Sequence, residues 1–154
     1  MMADTVDPKG EGPPLGSGRR VRLFISYARA DRERVRPIAA ALETAGHRVW
    51  WDALIDGGAA FAKVIEQELD NADAVIVVWS AQSILSDWVR DEAAHARDRK
   101  RLVAITLDRA EPPLGFRQYH AIDFDPWKGR ADSPEFKSLE RSIMALGPAG
   151  AAQP

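Results

Sequence analysis

Two hydrophobic patterns alternate along the chain between residues 20 and 146. Short runs of β-branched and aromatic residues predict strands, and stretches with apolar residues three and four positions apart predict helices. The predicted strands are residues 21–27, 47–51, 74–79, 102–107 and 121–124. The predicted helices are residues 31–45, 61–71, 86–99 and 133–146. Segment 108–120 contains two prolines and predicts an irregular connection, with one short helix left open.

This alternation predicts an α/β fold. Strands and helices joined by short connections favour right-handed crossovers and a parallel sheet covered on both faces. Residues 74–79 (AVIVVW) are apolar throughout, which is typical of a strand buried on both faces. Five strands favour a flavodoxin-like five-stranded parallel sheet in the order 2-1-3-4-5, with helices on both faces. In the second helix, the core stripe is predicted to be Phe61, Val64, Ile65 and Leu69.

The ends of the chain differ in composition from its centre. Residues 1–19 are rich in glycine and proline, lack periodicity and predict a disordered lead that is not a signal peptide. Residues 20–146 carry the periodic pattern and are expected to form one domain. Residues 147–154 repeat the Ala/Gly/Pro composition and predict a flexible tail.

Composition and charge exclude several classes of function. The formal net charge is −2 with the charges interspersed, so nothing indicates a nucleic-acid partner. The chain has no cysteine, which excludes disulfides, thiolate zinc sites and a cysteine nucleophile, and which fits a cytoplasmic location. No apolar run approaches the roughly 20 residues that span a bilayer, so no membrane segment is expected.

The familiar short motifs of this fold class are absent. Neither GxxxxGK[ST] nor GxGxxG follows the first strand, and no GxSxG elbow occurs. The three histidines have no metal-ligand spacing, so no metal is expected. The predicted ligand edge instead carries residues 26–29 (SYAR), 51–52 (WD) and 79–80 (WS), where the first three strands end.

One segment at that edge combines an aromatic ring with a carboxylate. Ser86 is a predicted helix N-cap, and Trp88 and Glu92 lie four residues apart on one face of the helix that follows. A nucleotide-like ligand can stack on the ring and bond the carboxylate through sugar hydroxyls. An isolated Trp-x-x-x-Glu is more often a boundary tryptophan beside a solvated glutamate. The best core face of the helix is the stripe of Val89, Ala93 and Ala96, which predicts Glu92 at the rim.

Four segments together resemble a Toll/interleukin-1 receptor (TIR) domain of the bacterial type. They are residues 24–31 (FISYARAD), 49–52 (VWWD), 74–80 (AVIVVWS) and 86–92 (SDWVRDE). Their order and spacing match across about residues 20–146. The resemblance implies a flavodoxin-like fold and two broad functions. Some members are adaptors that assemble through the loop after the second strand, and others cleave NAD⁺ at the nicotinamide–ribose bond.

The resemblance also implies site residues. Glu92 aligns with the catalytic glutamate of the NAD⁺-cleaving members. The implied substrate-binding residues are Ser26, Tyr27, Ala28, Arg29, Asp52, Phe61 and Trp88. Ala28 departs from those active relatives that carry an arginine there, and Arg29 is a candidate substitute.

The resulting hypothesis is an NAD⁺ glycohydrolase that acts in bacterial defence signalling or as an effector. Its expected partners are NAD⁺, as substrate and not cofactor, and other TIR domains through self-association. The sequence leaves open whether the product is ADP-ribose or a cyclic isomer. Two alternatives stay open: a non-catalytic TIR–TIR scaffold, and a nucleoside-processing enzyme such as a deoxyribosyl transferase.

Overall fold

A computed structural model describes residues 21–51 and 59–147, and for residues 59–62 it describes the backbone alone. The expectations for residues 1–19 and for most of the tail therefore lie outside the described residues, as does Asp52. Among the residues described, no helix is long and apolar enough to cross a membrane.

The helices and strands follow the predicted pattern, with every bound within two residues of the prediction. The strands are β1 Arg22–Ser26, β2 Arg48–Trp50, β3 Ala74–Trp79, β4 Leu102–Thr106 and β5 Ala121–Asp123. The helices are α1 Arg32–Thr44, α2 Ala59–Asn71, α3 Asp87–Asp98 and α4 Pro134–Leu146.

The five strands form one parallel sheet in the order β2-β1-β3-β4-β5, which confirms the flavodoxin-like prediction. β3 lies at the centre and all six of its residues are buried. Its side chains alternate between the two faces, so both faces need a helical cover. α1 and α4 cover one face, and α2 and α3 cover the other.

The two covered faces hold two apolar clusters. The α1/α4 cluster contains Leu42, Ile76 and Leu139, all fully buried. The α2/α3 cluster contains Val77, Trp79 and residues of α3. Since β1 and β3 contribute alternate side chains to both clusters, the sheet is held from above and below. The carboxyl edge of the sheet is therefore rigid enough to position the side chains of a binding site.

The structure adds to or differs from the sequence prediction at three places. Short 3₁₀ turns at Arg29–Asp31 and Ser83–Leu85 were not predicted. Segment 108–120 contains turns but, as described, no helix. Val64 is 40% exposed, because α2 packs onto the sheet through Ile65 and Leu69. A four-residue stripe overstated the width of the buried face of α2.

A buried hydrogen bond ties together two loops at the carboxyl edge. The Ser80 hydroxyl donates to the carboxylate of Asp31, at 2.5 Å, and both residues are almost fully buried. Ser80 directly follows β3 and Asp31 ends the 3₁₀ turn after β1. A buried carboxylate needs such partners to offset its desolvation. The contact fixes the turn that carries residues 27–31.

The start of α3 has the predicted cap. The hydroxyl of Ser86 accepts a hydrogen bond from the backbone N–H of Val89 at 3.2 Å. Asp87 in the first turn adds a negative charge where the helix dipole favours one.

We predict that Ser86→Ala lowers the free energy of unfolding by about 1 kcal/mol, because the first turn of α3 loses an N-cap. Ser86→Asp keeps an acceptor oxygen and is expected to retain stability. Urea denaturation of the three proteins measures the difference. Equal stability of the alanine and wild-type proteins would show that the cap does not matter here.

Candidate functional site

Glu92 lies on the inner side of α3. The buried residues of this helix are Val89, Glu92, Ala93 and Ala96, so the predicted core face is confirmed but also includes the glutamate. Glu92 is only 7% exposed. The prediction that it sits at the rim was therefore wrong: helical periodicity places it beside the core stripe, and a partner on the sheet draws it inward.

That partner is Ser26, the last residue of β1. Its hydroxyl donates a hydrogen bond to the Oε1 atom of Glu92 at 2.6 Å, across 66 positions of sequence. The contact brings the carboxylate to the carboxyl end of β1, next to the central strand. This is the edge where ligands bind in parallel α/β sheets.

The environment shifts the protonation of Glu92. Burial raises the pKa of Glu92 to about 7, from an ordinary value of 4.5. Hydrogen bonding from Ser26, and then from Trp88, opposes this rise in pKa, whereas the negative charge of Asp91 adds to it. At neutral pH the carboxyl group is therefore divided between charged and neutral forms. A buried carboxyl group with a perturbed pKa beside a cleft is a frequent mark of an active site.

A cleft of about 280 Å³ opens between α2 and α3 next to this carboxylate. Its lining comes from these two helices: Ile65, Glu66, Leu69, Trp88, Asp91, Glu92 and His95. Trp88 is 54% exposed, which leaves ring surface for a ligand. The volume is at the small end for ligand sites and suits one ring or sugar of a larger molecule. The ionised side chains around it are acidic, which favours a cationic or hydroxyl-bearing group.

A hydrogen bond crosses the cleft between its two helices. The Nε2 atom of His95 on α3 lies 2.8 Å from the carboxylate of Asp70 on α2. Arg99 approaches the same carboxylate at 3.6 Å. These contacts fix the spacing of the cleft walls at the end farther from Trp88.

The structure brings together three of the predicted site residues. Trp88 and Glu92 line the cleft, and Ser26 lies behind them, joined to Glu92 by its hydrogen bond. Tyr27 packs instead against Trp51, with ring centroids 6.0 Å apart, on the α1/α4 side of the sheet. It is therefore separated from Glu92 by the strand itself.

The remaining predicted residues stay predictions. Arg29 is exposed on the 3₁₀ turn and Ala28 is half-buried before it. Neither lines the α2–α3 cleft. Asp52 lies outside the described residues, and for Phe61 only the backbone in α2 is described.

Sequence reasoning missed the second wall of the cleft. Ile65 and Leu69 were assigned only to the core, and the contact between Asp70 and His95 was not foreseen. The two polar residues lie 25 positions apart, so no short motif contains both. The contact can be predicted only from the relative positions of the two residues on neighbouring helices. Those positions are known only once the packing of α2 against α3 is known. Over residues 21–51 and 59–147, no group of three or more acidic or histidine side chains is placed to hold a metal ion.

A profile of the TIR domain matches residues 23–140 of the chain. That match contains β2 to β5, all of β1 but its first residue, α1 to α3 and the first half of α4, and it includes both Ser26 and Glu92. The chain belongs to the TIR domain family. The family assignment agrees with the sheet order and with the four sequence segments that resemble it.

One curated relative of this TIR domain is the 2′ cyclic ADP-D-ribose synthase AbTIR of Acinetobacter baumannii. The two proteins are 38% identical over 72 residues, which make up 46% of this chain. The matched segment spans 27% of the length of AbTIR.

Solved structures share the fold of this TIR domain. The TIR domain of the Toll-related receptor TRR-2 from Hydra magnipapillata has a TM-score of 0.68 at 22% identity, over 80% of this chain and 98% of that one. A metazoan TIR-STING receptor from C. gigas, in complex with 2′,3′-cGAMP, has a TM-score of 0.59 at 23% identity, over 88% and 42%. A 2-deoxyribosyltransferase from Bacillus psychrosaccharolyticus has a TM-score of 0.57 at 11% identity, over 76% and 94%. At these identities the likeness concerns the fold alone.

We predict that Glu92 makes the free energy of unfolding depend on pH. Because its pKa is raised to about 7 in the folded chain, the folded state holds this proton more tightly than the unfolded state above pH 4.5. The stabilisation is fully present below pH 4.5 and is lost as the pH rises through about 7. The free energy of unfolding of wild type relative to Glu92→Gln should therefore fall by about 3 kcal/mol over that range.

Urea denaturation of both proteins between pH 4.5 and about pH 8 measures this difference. The glutamine keeps the shape and an acceptor oxygen for Ser26 but does not titrate, so the other ionisable groups cancel in the comparison. A difference that is constant across the pH range would contradict the raised pKa.

Proposed function

We propose that this TIR domain cleaves NAD⁺ at the bond between nicotinamide and ribose, with Glu92 as the catalytic residue. The observation that carries the proposal is the position of the Glu92 carboxylate: buried, bonded to Ser26, and at the wall of a cleft that also presents the exposed ring of Trp88. NAD⁺ is the substrate, and the reaction needs no cofactor. The activity named for AbTIR supports this choice of substrate.

The chemistry of the bond cleavage suits a single carboxylate. As the glycosidic C–N bond breaks, its electron pair moves to the nicotinamide nitrogen, and positive charge builds on the ribose ring. An ionised Glu92 stabilises that charge, and a preorganised charge in a water-poor site is worth more than one in bulk water. Water then adds at the ribose carbon and releases a proton, which gives ADP-ribose. Attack by another group of the same molecule gives a cyclic isomer instead.

Trp88 is proposed to hold the substrate by stacking. Its ring is more than half exposed and stands one helical turn before Glu92. The apolar side chains of Ile65 and Leu69 form the facing wall of the cleft. A flat cationic ring between them would gain both stacking and cation–π attraction. The acidic lining of Glu66 and Asp91 favours the same positively charged group.

Self-association is the second proposed property, and one observation favours it. Large apolar side chains are exposed at the carboxyl edge and beyond it: Leu85 is 77% exposed and Leu114 is 81% exposed. Leu85 lies three residues before Trp88, so a neighbouring molecule that covers Leu85 also approaches the cleft. A scaffold without catalysis would use the same surface. Activity is therefore best assayed at high protein concentration.

We predict that Glu92→Gln lowers the rate of nicotinamide release from NAD⁺ by at least about 100-fold, because the charge that stabilises the ribosyl cation is lost. The fold should persist, since the amide is nearly isosteric and can still accept from Ser26. The matched control is Asp98→Asn, which removes an exposed carboxylate from the end of the same helix and should leave the rate unchanged.

The assay follows nicotinamide and the ribosyl product by chromatography across a protein concentration series, with the size distribution of each sample recorded. Equal rates for wild type and a folded Glu92→Gln protein would remove Glu92 from the mechanism. Association without nicotinamide release at any concentration would favour the scaffold function. Cleavage of free nucleosides without cleavage of NAD⁺ would favour a deoxyribosyl transferase type of activity.

We predict that Trp88→Ala raises the KM for NAD⁺ by about tenfold or more, which corresponds to the loss of one stacking contact of about 1–2 kcal/mol. Because the ring is largely exposed, the free energy of unfolding should change by less than about 1 kcal/mol. Trp88→Phe retains a stacking ring and should recover most of the lost affinity. Steady-state kinetics with thermal melts tests this, and an unchanged KM in the alanine variant would place the substrate elsewhere.

A further inference from the structure

The hydroxyl of Ser26 is committed to Glu92. A serine hydroxyl has one proton to donate, and here it goes to Oε1 of the carboxylate at 2.6 Å. Ser26 is 1% exposed, which is less than Glu92 at 7% and far less than Trp88 at 54%. A ligand in the cleft therefore meets Trp88 and Glu92 before it can reach Ser26.

We propose that Ser26 is a positioning residue that orients the carboxylate of Glu92 and does not itself contact substrate. Its effect on rate rests on the proposed NAD⁺ cleavage, whereas its effect on Glu92 does not. This reassigns a residue that the sequence pattern had placed among the substrate-binding groups.

The sheet holds the backbone at Ser26 in place and so fixes the position of the donating hydroxyl. β1 pairs with β2 on one side and with β3 on the other, and Ser26 itself is in register with Val77 of the buried central strand. Glu92, by contrast, has a long side chain with several rotatable bonds, whose ordering costs conformational entropy. The bond from Ser26 selects one arrangement, in which Oε1 faces the sheet.

The same bond maintains the charged form of Glu92. The ionisable groups that share the cleft are Glu66 from α2 and Asp91 and His95 from α3. Burial and the charge of Asp91 both favour the neutral carboxylic acid. Donation from Ser26 is the larger of the two hydrogen-bond effects that oppose them, the other being that of Trp88. Removing the hydroxyl should therefore leave Glu92 protonated over a wider pH range.

The test measures Glu92 directly in the absence of NAD⁺. In protein labelled with ¹³C at the glutamate carboxyl, the Glu92 resonance is assigned by its loss in Glu92→Gln, and its titration is followed by NMR. Ser26→Ala should raise the pKa of Glu92 by about one pH unit or more, as expected when a hydrogen bond to a charged group is lost. Ser26→Thr keeps the hydroxyl and should restore the wild-type pKa.

The kinetic readout runs in parallel. In Ser26→Ala, the acid limb of kcat/KM against pH, which reports the free enzyme, should move upward with the NMR titration. At neutral pH kcat should fall about fivefold or more, and KM should change less than twofold. The matched control is Ser83→Ala, which removes another buried hydroxyl at the same edge, one that donates to the backbone of Val78. It should lower stability but leave the pKa of Glu92 and the acid limb in place.

Three outcomes would overturn the proposal. An unchanged pKa and unchanged kinetics in Ser26→Ala would show that the contact has no role. A raised KM with an unchanged pKa would mean that Ser26 binds substrate directly. An equal rise in pKa in Ser83→Ala would reduce the effect to loosening of the sheet edge.

The two proposals can fail separately. If wild type releases no nicotinamide, the proposed function fails while the NMR titration still decides the role of Ser26. If Ser26→Ala does not fold, Ser26→Cys provides a side chain of similar size with a weaker donor. It should give a smaller rise in pKa of the same sign, and no rise would overturn the proposal.

Discussion

The hydrogen bond between Ser26 and Glu92 joins the sheet to α3 at the place where chemistry is proposed. A carboxylate that is 7% exposed is costly unless a partner compensates for its lost hydration. The serine supplies that partner from a strand that cannot move independently, because it is paired on both sides. The result is a carboxyl group whose pKa lies near neutral pH and which is close enough to solvent to be reached by a ligand. The orientation of the side chain depends on this contact, whereas the raised pKa of Glu92 comes from burial and the bond from Ser26 limits that rise.

The rest of the fold keeps that edge rigid. β3 is buried on both faces, and the bond from Ser80 to Asp31 links the loops that follow β1 and β3. Neither group of that second pair lines the cleft, yet both lie in the loops that follow the strands on which the site is built. Two buried serine–carboxylate bonds thus stand at neighbouring strand ends. One stabilises the turn after β1, and the other holds the proposed catalytic group.

The sequence predicted the strands and their order well, but it did not predict how deeply the site residues are buried. Strand and helix patterns are local, and the strand order follows from crossover rules, so the architecture and the start of α3 at Ser86 were accessible. The burial of Glu92 was not, because it depends on a hydrogen bond across 66 positions. Tyr27 shows the same limit: it adjoins Ser26 in sequence, but the alternation of side chains along a strand sends it to the opposite face.

The two walls of the cleft have different origins in the sheet. α3 follows β3, the innermost strand, whereas α2 enters from β2, which forms an outer margin of the sheet. β2 pairs with β1 alone, whereas β3 is paired on both sides. The wall that carries Glu92 therefore follows the most firmly held strand of the sheet, and the facing wall follows a strand that is supported on one side only.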